Sequence, residues 1–202
     1  HFLPDDKNSR ILDLGCGDGG FVHWLRSRRF TNVEGIDASE EQVKEAKRLG
    51  MSNVYLENAL SFLQGKKNLY DVIVARDFIE HFTKEELMDF VPTVFEALRE
   101  KGVFIIQTVN AESLLGGRLR YADFTHEISF TQASIYQLLS VFGFSHVMVY
   151  PMRPVVRGPI SLMRYFLWRI IECFLHIYLI TATGYRKGIF TQDLLCVAEK
   201  KK

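Results

Sequence analysis

The chain has 202 residues, 48% of them hydrophobic and 24% charged, with a formal net charge of +1. That length suits one domain with a substantial core, and the composition excludes a disordered chain. A balance this near neutrality gives no global pull toward nucleic acid, and three scattered cysteines, Cys16, Cys173 and Cys196, fit a reducing cytoplasm rather than a disulfide framework.

Ile11, Leu12 and Leu14 form a short apolar run, the mark of a buried parallel strand. Gly15, Gly17, Gly19 and Gly20 crowd into a turn, and Phe21, Val22, Trp24 and Leu25 follow at helical spacing. Strand, glycine turn and helix is how an open α/β sheet brings bare backbone to a ligand. A second strand is predicted over 31–37, ending at Asp37. Ser39 and Gln42 read as a capping box opening a helix that Gly50 stops. A third strand spans 53–57, followed by Asn58, Ala59 and Leu60. Residues 70–75 are apolar on both faces and form a central strand, and the run from Arg76 to His81 leaves its carboxyl end. Thr83 and Glu86 cap the next helix, which Pro92 divides and Gly102 ends; strand five covers 103–108.

Regularity is lost over 110–130, a loop long enough to imply function. Thr131 then caps a helix running through Ser140, and strands six and seven fall at 145–150 and 194–198. The insertion 151–190 between them is basic: Arg153, Arg157, Arg164, Arg169, Arg186 and Lys187 stand against Glu172 alone. Residues 160–180 are long enough to suggest a bilayer span. At 100° per residue, however, Arg164, Arg169, Glu172 and His176 share one arc, as in an amphipathic helix on a core or a membrane surface. Segment 153–187 therefore reads as extra core, as a homodimer face, or as a peripheral contact with anionic lipid or a lipid-diphosphate substrate. Tyr165, Phe166 and Trp168, read as exposed, favour the membrane.

Two carboxylates separate the readings of the glycine turn. Gly15-x-Gly17-x-Gly19, with Gly20 completing G-x-G-x-x-G, is compatible with a dinucleotide site. Asp13 precedes the first glycine, where it would repel a pyrophosphate and suit a cationic or amine-bearing ligand. Asp37 lies about 20 residues on, where an acid can accept both hydroxyls of an adenosine ribose. The bland alternatives are that Asp13 satisfies loop amides and Asp37 caps a helix. Acid, glycine turn and second acid together resemble the class I S-adenosylmethionine-dependent methyltransferases, over about residues 10–144 and again at the last strand.

The resemblance implies an α/β, Rossmann-like doubly wound sheet of seven strands, the seventh antiparallel, with a helical insertion between strands six and seven in a single domain. It implies S-adenosylmethionine as cofactor. Asp13, Gly15, Gly17, Gly19 and Asp37 would cradle it, with Cys16 contributing backbone and Ala38 beside Asp37. Asn58, Ala59 and Leu60 would surround the adenine, and Arg76 and Asp77 the methionine end. An acid often closes the third strand in this family; Asn58 departs from that. Members usually carry a helix or more before the first strand, which here opens at Arg10.

Methyl transfer to a hydroxyl needs close, aligned reactants and a base. His81 is one candidate, because Asp77, Glu80 and His81 resemble the D-x-x-E-H run of the ubiquinone- and saccharide-type branch. His126 is the other. Its surroundings, from Arg120 to Thr131, resemble methyltransferases of polysaccharide and lipopolysaccharide operons, with Arg120, Tyr121 and Asp123 as substrate contacts. Each could equally be a hydrogen-bonded loop residue. The spacing of these histidines and acids lacks a compact ligand motif, which points away from a metal. The expected substrate is a sugar or lipid-linked saccharide hydroxyl. A quinone-type small metabolite, methylated on oxygen or carbon, is the alternative, and a non-catalytic cofactor-binding scaffold the rival from another class.

Overall fold

The computed structural model describes residues 2–201. β1 (Ile11–Leu14) is buried along its whole length and pairs in parallel with β2 (Val33–Asp37) on one side and β4 (Tyr70–Arg76) on the other. β3 (Val54–Leu56) extends the sheet beyond β2, and β5 (Leu98–Val109) lies beyond β4. β7 (Asp193–Lys200) runs antiparallel to β5, and β6 (Phe144–Pro151) is antiparallel to β7, so the order is β3-β2-β1-β4-β5-β7-β6. The α/β sheet with an antiparallel seventh strand matches the expectation.

Helices cover both faces. α1 (Gly20–Ser27) and α2 (Glu40–Arg48) bury Val22, Leu25, Val43 and Ala46 against one face; α4 (Lys84–Ala97) and α6 (Gln132–Val141) bury Leu87, Phe90, Val94, Ile135 and Leu139 with Phe104 and Phe144 on the other. Thr83 and Glu86 close a full capping box on α4. Ser39 accepts from the Gln42 amide to cap α2.

Two local expectations are corrected. Pro92 does not divide α4: the helix is continuous, and the carbonyl the proline leaves without a donor belongs to Met88, on an exposed turn. Gly102 does not end that helix, because the chain enters β5 at Leu98 and Gly102 sits in an irregularity between the Tyr70–Leu98 and Val72–Val103 pairs. A Cβ at Gly102 would stand 2.8 Å from the Arg99 carbonyl, which gives the glycine a packing role instead. Two short helices also went unforeseen, α3 (Ala59–Leu63), capped by Asn58, and α5 (Gly116–Arg120), inside the long loop.

The segment between β6 and β7 forms α7 (Pro159–Thr183). Its inward stripe is Ser161, Tyr165, Trp168, Glu172, Leu175, His176 and Leu179, and only Glu172 of the helix is buried. Tyr165 and Trp168 are thus half-buried rather than exposed; Phe166 is exposed as expected. Arg153 grips the Glu172 carboxylate with two nitrogens at 2.9 and 3.2 Å, and Arg169 holds it at 2.6 Å.

Candidate active site

In the order β2-β1-β4 the chain reverses direction of build at β1, and a crevice opens beyond the carboxyl ends of β1 and β4. Gly15 leaves β1 into that crevice. Its φ is +66°, and a Cβ there would lie 2.4 Å from a ring carbon of Phe78, so only glycine fits. The bend is then tied to β2. The Cys16 amide donates to the Ile36 carbonyl at 3.0 Å, and the Gly17 amide donates to Asp37 Oδ2 at 2.8 Å. Asp37 Oδ1 accepts from the Ser39 amide at 2.8 Å. The Cys16 N–H is thus spent holding the turn, so a backbone contact from Cys16 to a ligand would fall to its carbonyl. The Gly17 amide, which in a dinucleotide site would face a phosphate, faces a carboxylate instead.

Asp37 thus does satisfy loop amides, and Asp13 does not. Asp13 is 1% exposed, and neither of its carboxylate oxygens has a hydrogen-bond partner among the described residues. Burial pushes its pKa up to about 7; the Arg76 guanidinium opposes the shift and the Asp37 charge adds to it. A buried carboxylate without a donor, next to a second carboxylate, fits a positively charged ligand that brings N–H groups, and does not fit a phosphate. The residues present therefore suit S-adenosylmethionine.

Gly15, Asp37, Ala38, Asn58, Ala59 and His81 line one cavity, together with Ile36, Glu57, Phe78, Phe82 and Glu86. Asp13, Cys16, Gly17, Gly19, Leu60, Arg76 and Asp77 are not part of that lining. Asn58 uses its side-chain oxygen to accept from the Leu60 and Ser61 amides at 3.0 and 3.2 Å, which leaves only its NH2 group for a base edge. Glu57, immediately after β3, places a carboxylate in the same cavity lining, which the sequence reading missed. The signal was one residue away, hidden by ending the strand at Glu57 rather than at Leu56.

Beyond β4 the chain turns sharply. Asp77 has φ +49°, and Gln107 of β5 holds it from both sides: its carbonyl accepts the Asp77 amide at 2.9 Å, and its Nε2 donates to the carboxylate at 3.0 and 3.1 Å. Glu80 is buried, accepts from Thr108 Oγ1 at 2.8 Å, and has its pKa pushed up to about 7 by burial. The Glu80 carbonyl accepts from the Glu127 and Ile128 amides at 2.8 and 3.1 Å, which fastens the loop after β5 to the turn after β4. The rings of His81 and His126 consequently meet edge to face, 4.8 Å apart. Arg120 spends a guanidinium nitrogen on the Glu127 carbonyl, so it braces this loop. Tyr121 and Phe124 of this loop are exposed.

Comparison with known proteins accords with this geometry. Residues 1–149 match the model of a family described as a methyltransferase domain. A ubiquinone biosynthesis O-methyltransferase from Rickettsia canadensis is 33% identical over 110 residues, which are 52% of this chain and 45% of that protein. The cyclopropane-fatty-acyl-phospholipid synthase of Escherichia coli is 29% identical over 105 residues, 51% of this chain and 27% of that protein. The chain therefore spans less than half the length of these relatives. Among solved structures, a SAM-dependent methyltransferase from Archaeoglobus fulgidus superposes with a TM-score of 0.72 at 22% identity, covering 95% of this chain and 86% of that one. A phosphoethanolamine N-methyltransferase from Haemonchus contortus, solved with S-adenosyl-L-methionine, gives 0.70 at 19% identity over all of this chain and 50% of that one.

Fold and family together define a class I S-adenosylmethionine-dependent methyltransferase. Specifically, the chain belongs to the methyltransferase-domain family whose model its first 149 residues match.

Proposed function

We propose that this enzyme O-methylates the polar head of a membrane-resident lipid, a lipid-linked saccharide first and a quinone-type ring second, from the cytoplasmic side of the membrane. The observation that carries the reading is the orientation of α7. Its domain-facing stripe, Ser161, Tyr165, Trp168, Glu172, Leu175, His176 and Leu179, leaves a second apolar face, with Ile160, Met163, Phe166, Ile170, Phe174, Ile177 and Tyr178, turned to solvent. Its most apolar 18 residues have a mean hydropathy of 1.4 and are only 6% buried, so by length and composition it could cross a bilayer. Arg164 within it and Arg157, Arg186 and Lys187 at its ends suit a helix lying at an anionic surface.

The insertion 151–190 also shares an edge with the crevice. It leaves β6 at Pro151, paired with Leu194, and returns past Asn110, whose Nδ2 donates to the Ile189 and Thr191 carbonyls at 2.7 Å. Asn110 directly follows β5 and opens the loop that carries Asp123 and His126. A lipid head rising from the face of α7 would therefore approach the same edge as His81.

S-adenosylmethionine supplies an electrophilic methyl group on a sulfonium, open to in-line attack by the acceptor oxygen. The chain's own part is to hold and align. Asp13 and Asp37 would receive the cationic end and the ribose, and Ala38, Glu57, Asn58 and Ala59 would flank the adenine, with Leu60 behind them. Arg76 and Asp77 would border the methionine end. Arg120, Tyr121 and Asp123 would border the acceptor, and His81 or His126 would take its hydroxyl proton. The quinone-type reading draws on the name of the Rickettsia relative and on the Asp77-x-x-Glu80-His81 run.

Incubation of the protein with methyl-labelled S-adenosylmethionine and either a bacterial lipid extract or the matching water-soluble sugars tests the proposal. Label is expected in the lipid fraction. Label confined to soluble sugars would overturn the lipid reading, and label in a lipid that carries no sugar would select the quinone-type acceptor.

A further inference from the structure

We propose that His81, Asp123 and His126 form a binding site for one divalent transition-metal ion beside the acceptor position. One ligand atom from each lies within 4.8 Å of the others, although two loops separate them in the sequence.

The hydrogen bonds around these side chains determine which atoms are available. His126 Nδ1 lies 3.1 Å from the Leu119 carbonyl. A carbonyl only accepts, so Nδ1 carries the hydrogen and Nε2 of the neutral ring has the lone pair. Thr125 Oγ1 lies 2.7 Å from Asp123 Oδ1 and 2.9 Å from His81 Nδ1. The hydroxyl has a single hydrogen, which goes to the carboxylate, so His81 Nδ1 must donate to Oγ1. His81 Nε2 is then also a lone pair. Asp123 Oδ1 is occupied further by the Thr125 amide at 2.9 Å, which leaves Oδ2.

Three side chains with electron pairs to donate thus bring one ligand atom each to within 4.8 Å of the others, and each side chain is fixed by a hydrogen bond. That is the arrangement of metal ligands and their supporting shell. The supports do not depend on a bound ion: Glu80 holds Glu127 and Ile128 by backbone bonds, and Arg120 holds the Glu127 carbonyl. Two imidazoles and one carboxylate, with further positions open, select Mn2+, Fe2+, Co2+ or Zn2+ over Mg2+ or Ca2+. The compact spacing that usually marks such sites is absent because the fold, not a helix, brings the ligands together.

This inference deepens the proposed reaction and rests on it only for its consequence. His81 lines the cavity shared with Gly15 and Asp37, so the ion would be placed to take the acceptor oxygen as a further ligand and ease loss of its proton to solvent. The imidazoles would then act as ligands and not as proton acceptors.

The test is calorimetric titration of the chelator-stripped full chain with MnCl2 and ZnCl2, with Co2+ absorption as a report on the ligands. S-adenosylmethionine titration runs in parallel. Saturable one-to-one binding is expected. Asp123→Ala and His126→Ala should each weaken it at least tenfold and remove the Co2+ bands, while cofactor affinity stays within twofold. His146→Ala, an exposed histidine on β6, should change nothing. No saturable binding to the wild type, or binding unmoved by both variants, overturns the site. Failure of the methyltransferase reading would show separately, as absent cofactor binding.

Discussion

The two ends of this chain treat apolar side chains in opposite ways. From β1 to β5 every long apolar stretch is turned inward: Leu14, Phe90 and Phe104 are wholly buried, and the helices present charge to water. In α7 the inward stripe mixes Ser161, Glu172 and His176 with Tyr165, Trp168, Leu175 and Leu179, and a second apolar face is left outside, with Phe166 and Phe174 59% and 67% exposed. Among the contacts that tie α7 to its surroundings are the Arg153–Glu172 ion pair, with Arg169 of the same helix on that carboxylate, and the His176 ring against Phe190. An exposed apolar face of this extent normally marks an interaction surface. The first region is a finished core, and the second is an uncovered apolar face.

That contrast can be broken by substitution. Phe104→Ala should cost about 3–5 kcal/mol of folding stability, measured by denaturant titration, because it empties a packed site. On the same scale Phe174→Ala should change stability by less than about 0.5 kcal/mol. Equal losses would mean that α7 is core after all.

Asp13 sharpens the comparison through pH. Its folded pKa of about 7 exceeds the unfolded value of 3.8, so the folded state holds the proton more tightly. The Asp13 contribution to the stability of the ligand-free protein should be full below pH 4, fall as pH rises toward 7, and level off above it. The total is up to about 4 kcal/mol, since each unit corresponds to about 1.4 kcal/mol. A cationic cofactor favours the carboxylate, so its affinity should rise over the same window. Asp13→Asn should remove the Asp13 part of both curves and leave the Glu80 part of the stability curve, and a pH-independent affinity in the wild type would remove Asp13 from the cradle.

Asp37→Ala should weaken cofactor binding about 10- to 100-fold in calorimetry, the worth of one or two charge-assisted hydrogen bonds. An unchanged affinity would contradict the ribose assignment. Glu172→Gln should leave Arg153 and Arg169 without their counter-ion and destabilise α7 by about 2 kcal/mol, a figure discounted because both arginines are partly exposed. Hydrogen exchange should speed up in α7 while the sheet is unaffected.

Much of this was legible from residues alone. Apolar runs marked all seven strands, and Asp13 and Asp37 marked the crevice, because burial and a sharp turn act over a few neighbouring positions. What escaped depends on where distant pieces meet. No local pattern brings His81 to His126. None reveals that the Cys16 amide is spent on Ile36, or that Gly102 serves a strand irregularity instead of a helix end. Periodicity in α7 defined two faces, but only the fold shows that the apolar one is turned outward.

The most direct test of the membrane account is sedimentation with anionic phospholipid vesicles, comparing the wild type with Phe166→Asp combined with Ile170→Asp. The wild type should pellet with the vesicles and the variant should remain in solution, both with the same affinity for S-adenosylmethionine. A wild type that stays in solution, or that covers α7 by forming a dimer, would contradict it.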